Sequence, residues 1–206
     1  CMNNNATMRK PMTIADHQAS RFICEPLRLF DCALESDGGG AVIVTSAERA
    51  QDFPKKPVAI LGMGQHHPHF SLMDAPTLTT LGGKKSSELA YKMAGLSPKD
   101  MDFAEIYDCF TITTMITLED YGFCKKGEGK DFVKNGRIEV GGELPVNTHG
   151  GLLSQAHIEG MLHVTEAVRQ LRGNEVEPER QVKDAKAGIV SGHGGSLCMH
   201  ASLILG

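Results

Sequence analysis

The residue types able to do chemistry in this chain gather in three short segments. The richest is Asn147-Thr148-His149-Gly150-Gly151-Leu152-Leu153-Ser154-Gln155-Ala156-His157, which sets a turn-forming glycine pair ahead of a helical pattern carrying an imidazole. Glycine lets backbone crowd a ligand, amides at a helix start favour developing negative charge, and histidine moves protons near neutral pH. Those are three ingredients of carbonyl chemistry. For an isolated histidine the plainer reading, a hydrogen-bonded side chain with no chemical task, stays open for both His149 and His157.

The second segment is Tyr107-Asp108-Cys109-Phe110, where a strand pattern gives way to a helix pattern. A thiol at such a junction can be acidified by helix-terminal amides, which would make Cys109 an acid/base or a nucleophile. The other reading puts Cys109 and Phe110 in the core with Asp108 as a helix cap. The third, Ser191-Gly192-His193-Gly194-Gly195, is a glycine turn presenting a hydroxyl and an imidazole, readable as a catalytic loop or as a tight β-turn. His66-His67-Pro68-His69 lacks ligand spacing along a helix face and an accompanying carboxylate, so no metal site is expected. A serine-hydrolase elbow, a P-loop and a Rossmann fingerprint are all missing.

The elements that must position these residues alternate. Residues 1–35, interrupted by Pro11 and Pro26, read as an irregular surface arm, with 27–34 a short helix or strand. Residues 41–44, 58–64, 103–107, 187–190 and 197–205 carry strand patterns. Helices are expected over 47–52, 83–94, 111–120 and 154–171, the second ended by Gly95 and the third by Gly122. Residues 124–142 read as a solvent-side excursion, 173–183 as a charged connection, and Gly192 to Gly195 as the turn joining the last two strands. The expected fold is therefore an α/β layered domain over 36–206, with a mixed sheet of about five strands and helices on both faces.

Composition narrows the class. The 206 residues are 41% hydrophobic and 22% charged, with a net charge of −4 and scattered basic residues, which argues for a folded domain and against a nucleic-acid partner. No apolar run reaches the roughly 20 residues of a membrane-spanning helix, and a cytoplasmic location is expected. The six cysteines, Cys1, Cys24, Cys32, Cys109, Cys124 and Cys198, are widely spaced and read as reduced, mostly buried thiols. Met63, Met73, Met93, Met101, Met115 and Met161 read as core filler.

Taken in order, the segments resemble the C-terminal half of the thiolase superfamily, especially the sterol-carrier-protein-type thiolases and the related lipid-transfer-like proteins. Ser36-Asp37-Gly38-Gly39-Gly40-Ala41 resembles the entry to that half's first strand. Glu105 to Phe110 resembles the motif that ends histidine-aspartate-cysteine-phenylalanine in the sterol-carrier branch. Gly150 to His157 resembles the segment ending in glycine-histidine-proline, and Ser191 to Gly195 the terminal glycine turn.

The resemblance implies an acyl-CoA acyltransferase, performing Claisen condensation or thiolysis, with a coenzyme A thioester as substrate and no permanently bound cofactor. It implies that His157 and Cys109 are acid/base groups, that Tyr107 helps bind the substrate carbonyl, and that Asp108, Gly150, Gly151, His193 and Gly194 line the oxyanion and substrate pocket. The attacking cysteine belongs to an N-terminal half that this chain lacks, so the isolated half is expected to be inactive and to expose apolar surface. The family also implies a homodimer in the full-length protein and, as in several relatives, an OB-fold and zinc-ribbon partner. Ile158 stands where the family keeps proline, and Tyr107 is neither asparagine nor histidine. The tyrosine raises an alternative, a thiolase-like retro-aldolase of steroid or lipid side chains, beside a third reading as a non-catalytic lipid-transfer or scaffold subunit.

Overall fold

In the computed structural model, which describes residues 2–195 and 197–206, the elements run in a βα alternation that ends in a hairpin. They are α1 (Ile14–Ala19), β1 (Phe22–Cys24), β2 (Leu27–Arg28), α2 (Ala47–Ala50), β3 (Ile60–His66), α3 (Gly83–Ala94), β4 (Phe103–Glu105), α4 (Thr111–Asp120), α5 (Gly129–Phe132), α6 (Gly151–Ser154), α7 (Met161–Arg172), β5 (Gly188–Gly194) and β6 (Met199–Leu205). The main sheet has the order β3-β6-β5-β4, parallel only between β4 and β5. β1 and β2 form a separate small hairpin in the N-terminal arm.

Helices cover both faces of the sheet, as expected. On one face Ala90 and Tyr91 of α3 and Leu118 of α4 pack with Ile106, Ile189 and Ile204. On the other, Ala167 and Leu171 of α7 pack with Phe103, Val190 and Leu205. Each helix buries one stripe, the geometry its apolar spacing favours.

The sheet has four strands, one fewer than expected. Residues 41–44 form no strand, and Ile43 and Val44 are 79% and 73% exposed. Apolar β-branched sequence supplies propensity, but a strand also needs an edge to pair with, and these residues find none here. The final turn is also displaced: Gly192, His193 and Gly194 lie in β5, and the chain reverses between Gly194 and Met199.

Four further expectations change. The 124–142 excursion contributes Phe132 to the core, with Val133 and Ile138 packed beside it. The charged connection contains Arg180, which is buried against Glu166. Among the methionines, Met101 is buried, whereas Met63, Met73 and Met93 are exposed. Cys24, Cys32, Cys109 and Cys124 are free thiols, Cys24 exposed and the other three partly buried, while Cys198 is buried; Cys1 lies outside the described residues. No helix among the described residues is long and apolar enough to cross a membrane.

Candidate active site

Tyr107 leaves the end of β4 and is fixed to the neighbouring strand by its amide, which donates to Ser191 Oγ at 2.9 Å. Its hydroxyl lies 3.0 Å from His157 Nε2 and donates to Glu159 Oε2 at 3.3 Å. Three imidazoles surround the ring: His163 is stacked on it, His157 meets it edge-on, and His193 is tilted at a centroid distance of 5.6 Å. Burial pushes the Tyr107 phenol well above its ordinary range, and the Glu159 charge adds to that.

His157 stands on a loop, because the helix expected over 154–171 is broken into α6 and α7. The break has a local cause. Gly160 adopts φ +77°, and a Cβ there would lie 3.0 Å from the Tyr107 ring, so the chain both turns and passes close at that residue. The turn carries the imidazole to the phenol. The His157 amide donates to Ser36 Oγ at 3.1 Å, which ties the loop to the segment entering from the N-terminal arm.

The arm supports this site along its length. Asn3 Nδ2 donates to the His149 carbonyl at 2.8 Å, and the Met8 amide to that of Ser154 at 2.9 Å. The Ala33 and Leu34 amides donate to the Cys109 and Leu152 carbonyls at 2.9 and 3.2 Å. A surface arm in sequence is a clamp in the fold.

Asp108 does not face a substrate space. It is buried, and its Oδ1 accepts the Leu152 amide at 2.7 Å and faces His163 Nε2 at 3.2 Å, while Oδ2 accepts the Leu153 amide at 3.3 Å. Burial disfavours its charge, but His163 and the amide outweigh that and hold its pKa low. The Leu152 and Leu153 amides in the first turn of α6 are thus already occupied by a carboxylate of the chain itself, and the Gly150 amide by the Asn147 carbonyl. Gly151 sits against it at φ +63°, where a Cβ would be 2.1 Å from Asp108 Oδ2.

Cys109 shows the opposite of an activated thiol. Burial, with a contribution from Asp108, raises its pKa despite contacts with Thr113 and the Phe110 amide, which overturns the acidification expected from its helix-start position. Its Sγ lies 3.6 Å from Thr113 Oγ1. His193 Nε2 is 3.3 Å from Thr117 Oγ1, and burial lowers its pKa to about 4, so it is neutral at physiological pH. Gly194 ends β5, its carbonyl accepting the Cys198 amide at 3.1 Å.

His149 takes the plainer of its two readings. Its Nδ1 pairs with Glu105 Oε2 at 2.8 Å inside a buried network that includes Thr148, Glu166, Gln170 and Arg180. Burial opposes its charge, but the Glu105, Glu166 and Asp108 carboxylates prevail and raise its pKa. Asn147 completes the scaffold: its Oδ1 accepts the Ile106 amide at 2.6 Å and its Nδ2 donates to the Ile106 carbonyl at 2.8 Å.

The site thus gathers Tyr107 and His157, with His193 beside them and Cys109 next in the chain. Sequence reasoning missed Glu159 and His163; the one available signal was Gly160, which breaks a helical pattern. Beside Glu159 and Gly160 opens a groove of about 910 Å³ lined by Met63, Leu89, Met93, Met161, Val164 and Leu203. The arrangement offers a hydroxyl between an imidazole and a carboxylate, at the edge of an apolar surface, a geometry suited to moving a proton at a carbonyl or carbinol centre.

Residues 64–206 match the thiolase C-terminal domain-like family. Over 174 residues the chain is 49% identical to a 17-hydroxy-3-oxo-4-pregnene-20-carboxyl-CoA lyase of Mycobacterium tuberculosis, covering 82% of this chain and 45% of the lyase. It is 35% identical over 207 residues to an acetyl-CoA acetyltransferase of Methanothermobacter thermautotrophicus, covering 96% of this chain and 54% of that protein. Among solved structures, an Ltp2-ChsH2(DUF35) aldolase superposes with a TM-score of 0.88 at 41% identity, over 96% of this chain and 52% of that one. The chain spans about half the length of the curated relatives it matches.

Proposed function

From a chain that belongs to the thiolase superfamily through its C-terminal domain, we propose a retro-aldolase that cleaves a 3-hydroxyacyl-CoA thioester into a ketone and a shorter acyl-CoA. The observation carrying this reading is the Tyr107 hydroxyl at 3.0 Å from His157 Nε2, beside a Cys109 thiol whose pKa burial raises. Acyl transfer, placed first on sequence, asks Cys109 to act as an acid/base thiol and needs an attacking cysteine from another part of the protein. Retro-aldol cleavage needs neither. A base takes the proton from the 3-hydroxyl, the bond to the α carbon breaks, and the electron pair passes into the thioester as an enolate.

The names of the relatives lean the same way. The lyase's name describes a hydroxyl two carbons from the thioester carbonyl, on a steroid ring. The apolar groove beside Glu159 suits a rigid hydrocarbon body of that kind, with coenzyme A as the substrate's handle and no resident cofactor. The aldolase structure pairs its thiolase-like chain with a DUF35 protein, so a similar partner subunit, an N-terminal half to complete the fold and a homodimer belong to the proposal.

The test uses the full-length protein with its partner subunit and a 3-hydroxyacyl-CoA bearing a tertiary hydroxyl. Ketone release is expected, and Tyr107→Phe is expected to reduce it by about 10²- to 10⁴-fold, the usual worth of a proton-transfer group. Vigorous acetyl exchange with no cleavage would return the acyltransferase reading to first place.

A further inference from the structure

The Tyr107 hydroxyl has one hydrogen and two polar neighbours. A carboxylate oxygen can only accept, so the hydrogen is directed to Glu159 Oε2 at 3.3 Å and the phenol oxygen is left to accept from His157 Nε2–H at 3.0 Å. In that arrangement His157 Nε2 is the donor and Glu159 is the neighbour placed to take a proton from the phenol. The position of Glu159 is built, since its backbone is held at φ +57° and is followed by Gly160 at φ +77°. Left-handed backbone at a glutamate costs about 1 kcal/mol or more, and the surrounding turn sustains it. Glu159 also lines the apolar groove, which places it between the phenol and the space open to a ligand.

We propose that Glu159 is the proton store behind Tyr107. The inference rests on the retro-aldolase reading. The 3-hydroxyl proton passes to the Tyr107 oxygen while the Tyr107 proton passes to Glu159. The carbinol C–O becomes a ketone C=O, the C–C bond to the α carbon breaks, and its electron pair forms the enolate. The stored proton then returns through Tyr107 to the α carbon, so the cycle closes with no added acid, base or oxidant. His157 holds the phenol oxygen in line by donating to it. Glu159 acts through Tyr107 and is a positioning and proton-holding residue.

The groups facing Tyr107 are His157 and Glu159 from the loop before α7, His163 from α7, His193 from β5, and Asp108 and Cys109 from its own segment. Glu159→Gln and Glu159→Asp are compared in the full-length protein with its partner subunit. Two readouts are taken: turnover of the hydroxyacyl-CoA, and absorbance titration of the phenol, with Tyr107→Phe as the blank that subtracts every other tyrosine. Glu159→Gln is expected to lower kcat by about 10²-fold or more, with KM within about threefold. Glu159→Asp is expected to recover most of the loss. Tyr107 is expected to ionise at lower pH in Glu159→Gln, because a neighbouring negative charge is gone. A kcat within about threefold of wild type, or an unmoved phenol titration, overturns the proposal. If the wild-type protein cleaves nothing while the titration still moves, the retro-aldol reading is what has failed, and this step falls with it.

Discussion

Asp108 Oδ1 accepts the Leu152 amide at 2.7 Å, so the carboxylate next to Tyr107 in sequence also anchors the helix that leads to His157. One residue thereby sets the distance between the two groups of the site. Asp108→Asn keeps the shape but removes the charge from bonds to two amides and His163. Hydrogen bonds to charged groups contribute about 1.5–3 kcal/mol, and a loss of that order is expected in thermal or urea unfolding. Gly151→Ala should cost at least as much, because its Cβ would lie 2.1 Å from Asp108 Oδ2. Wild-type stability in both variants would contradict the anchoring role.

Cys109 offers the sharpest separation of the two enzyme readings. Its pKa is raised by burial, so it should alkylate slowly with iodoacetamide at neutral pH, and Cys109→Ala should keep ketone release within a few-fold of wild type. A loss of about 10²-fold or more in that variant would favour acyl transfer through a thiol acid/base.

The buried network makes stability depend on pH in two directions. Asp108 and Glu166 have lowered pKa values, so their contribution is present above the ordinary 3.8 and 4.5 and is lost as pH falls through the folded-state values. His149 has a raised pKa, so its contribution is complete below the ordinary 6.5 and is lost as pH rises through its folded-state value. His193, whose pKa is lowered to about 4, adds stability that is present above the ordinary 6.5 and lost as pH falls below it. Urea midpoints are therefore expected to be highest in a window around pH 6.5, with the most acidic part of the decline reduced in Asp108→Asn. A midpoint that holds steady on both sides of that window would refute the coupling.

The 206-residue chain by itself should self-associate. Ile43, Val44, Ile60, Met63 and Met93 are exposed apolar residues, and the apolar groove is open. Sedimentation velocity is expected to show dimers or larger species, reduced by Ile43→Lys with Val44→Lys. A compact monomer across the micromolar range would count against it.

The sequence legibility of this fold follows from how local each feature is. Helices α3 and α4 were readable because Gly95 and Gly122 end them in left-handed turns within the chain itself. The strand patterns of β3 to β6 announced themselves through short apolar runs. Residues 41–44 carry the same pattern and form no strand, because pairing depends on a neighbour that propensity cannot supply. The Tyr107 and His157 pair was legible as candidates, but their meeting depends on the 155–160 break, hidden in a stretch with only Gly160 to mark it. Arg180 read as part of a charged connection, and only the folded chain reveals it buried against Glu166.

The clamp formed by the N-terminal arm bears on where this domain can be cut. The family match begins at residue 64, and β3 begins at Ile60. Trimming to Ile60, just ahead of the matched region, would leave the main sheet whole, yet it would remove Asn3, Met8, Ala33, Leu34 and Ser36, whose bonds hold the 149–157 segment. A domain shortened to its recognisable limits would keep its architecture and lose the alignment of its site.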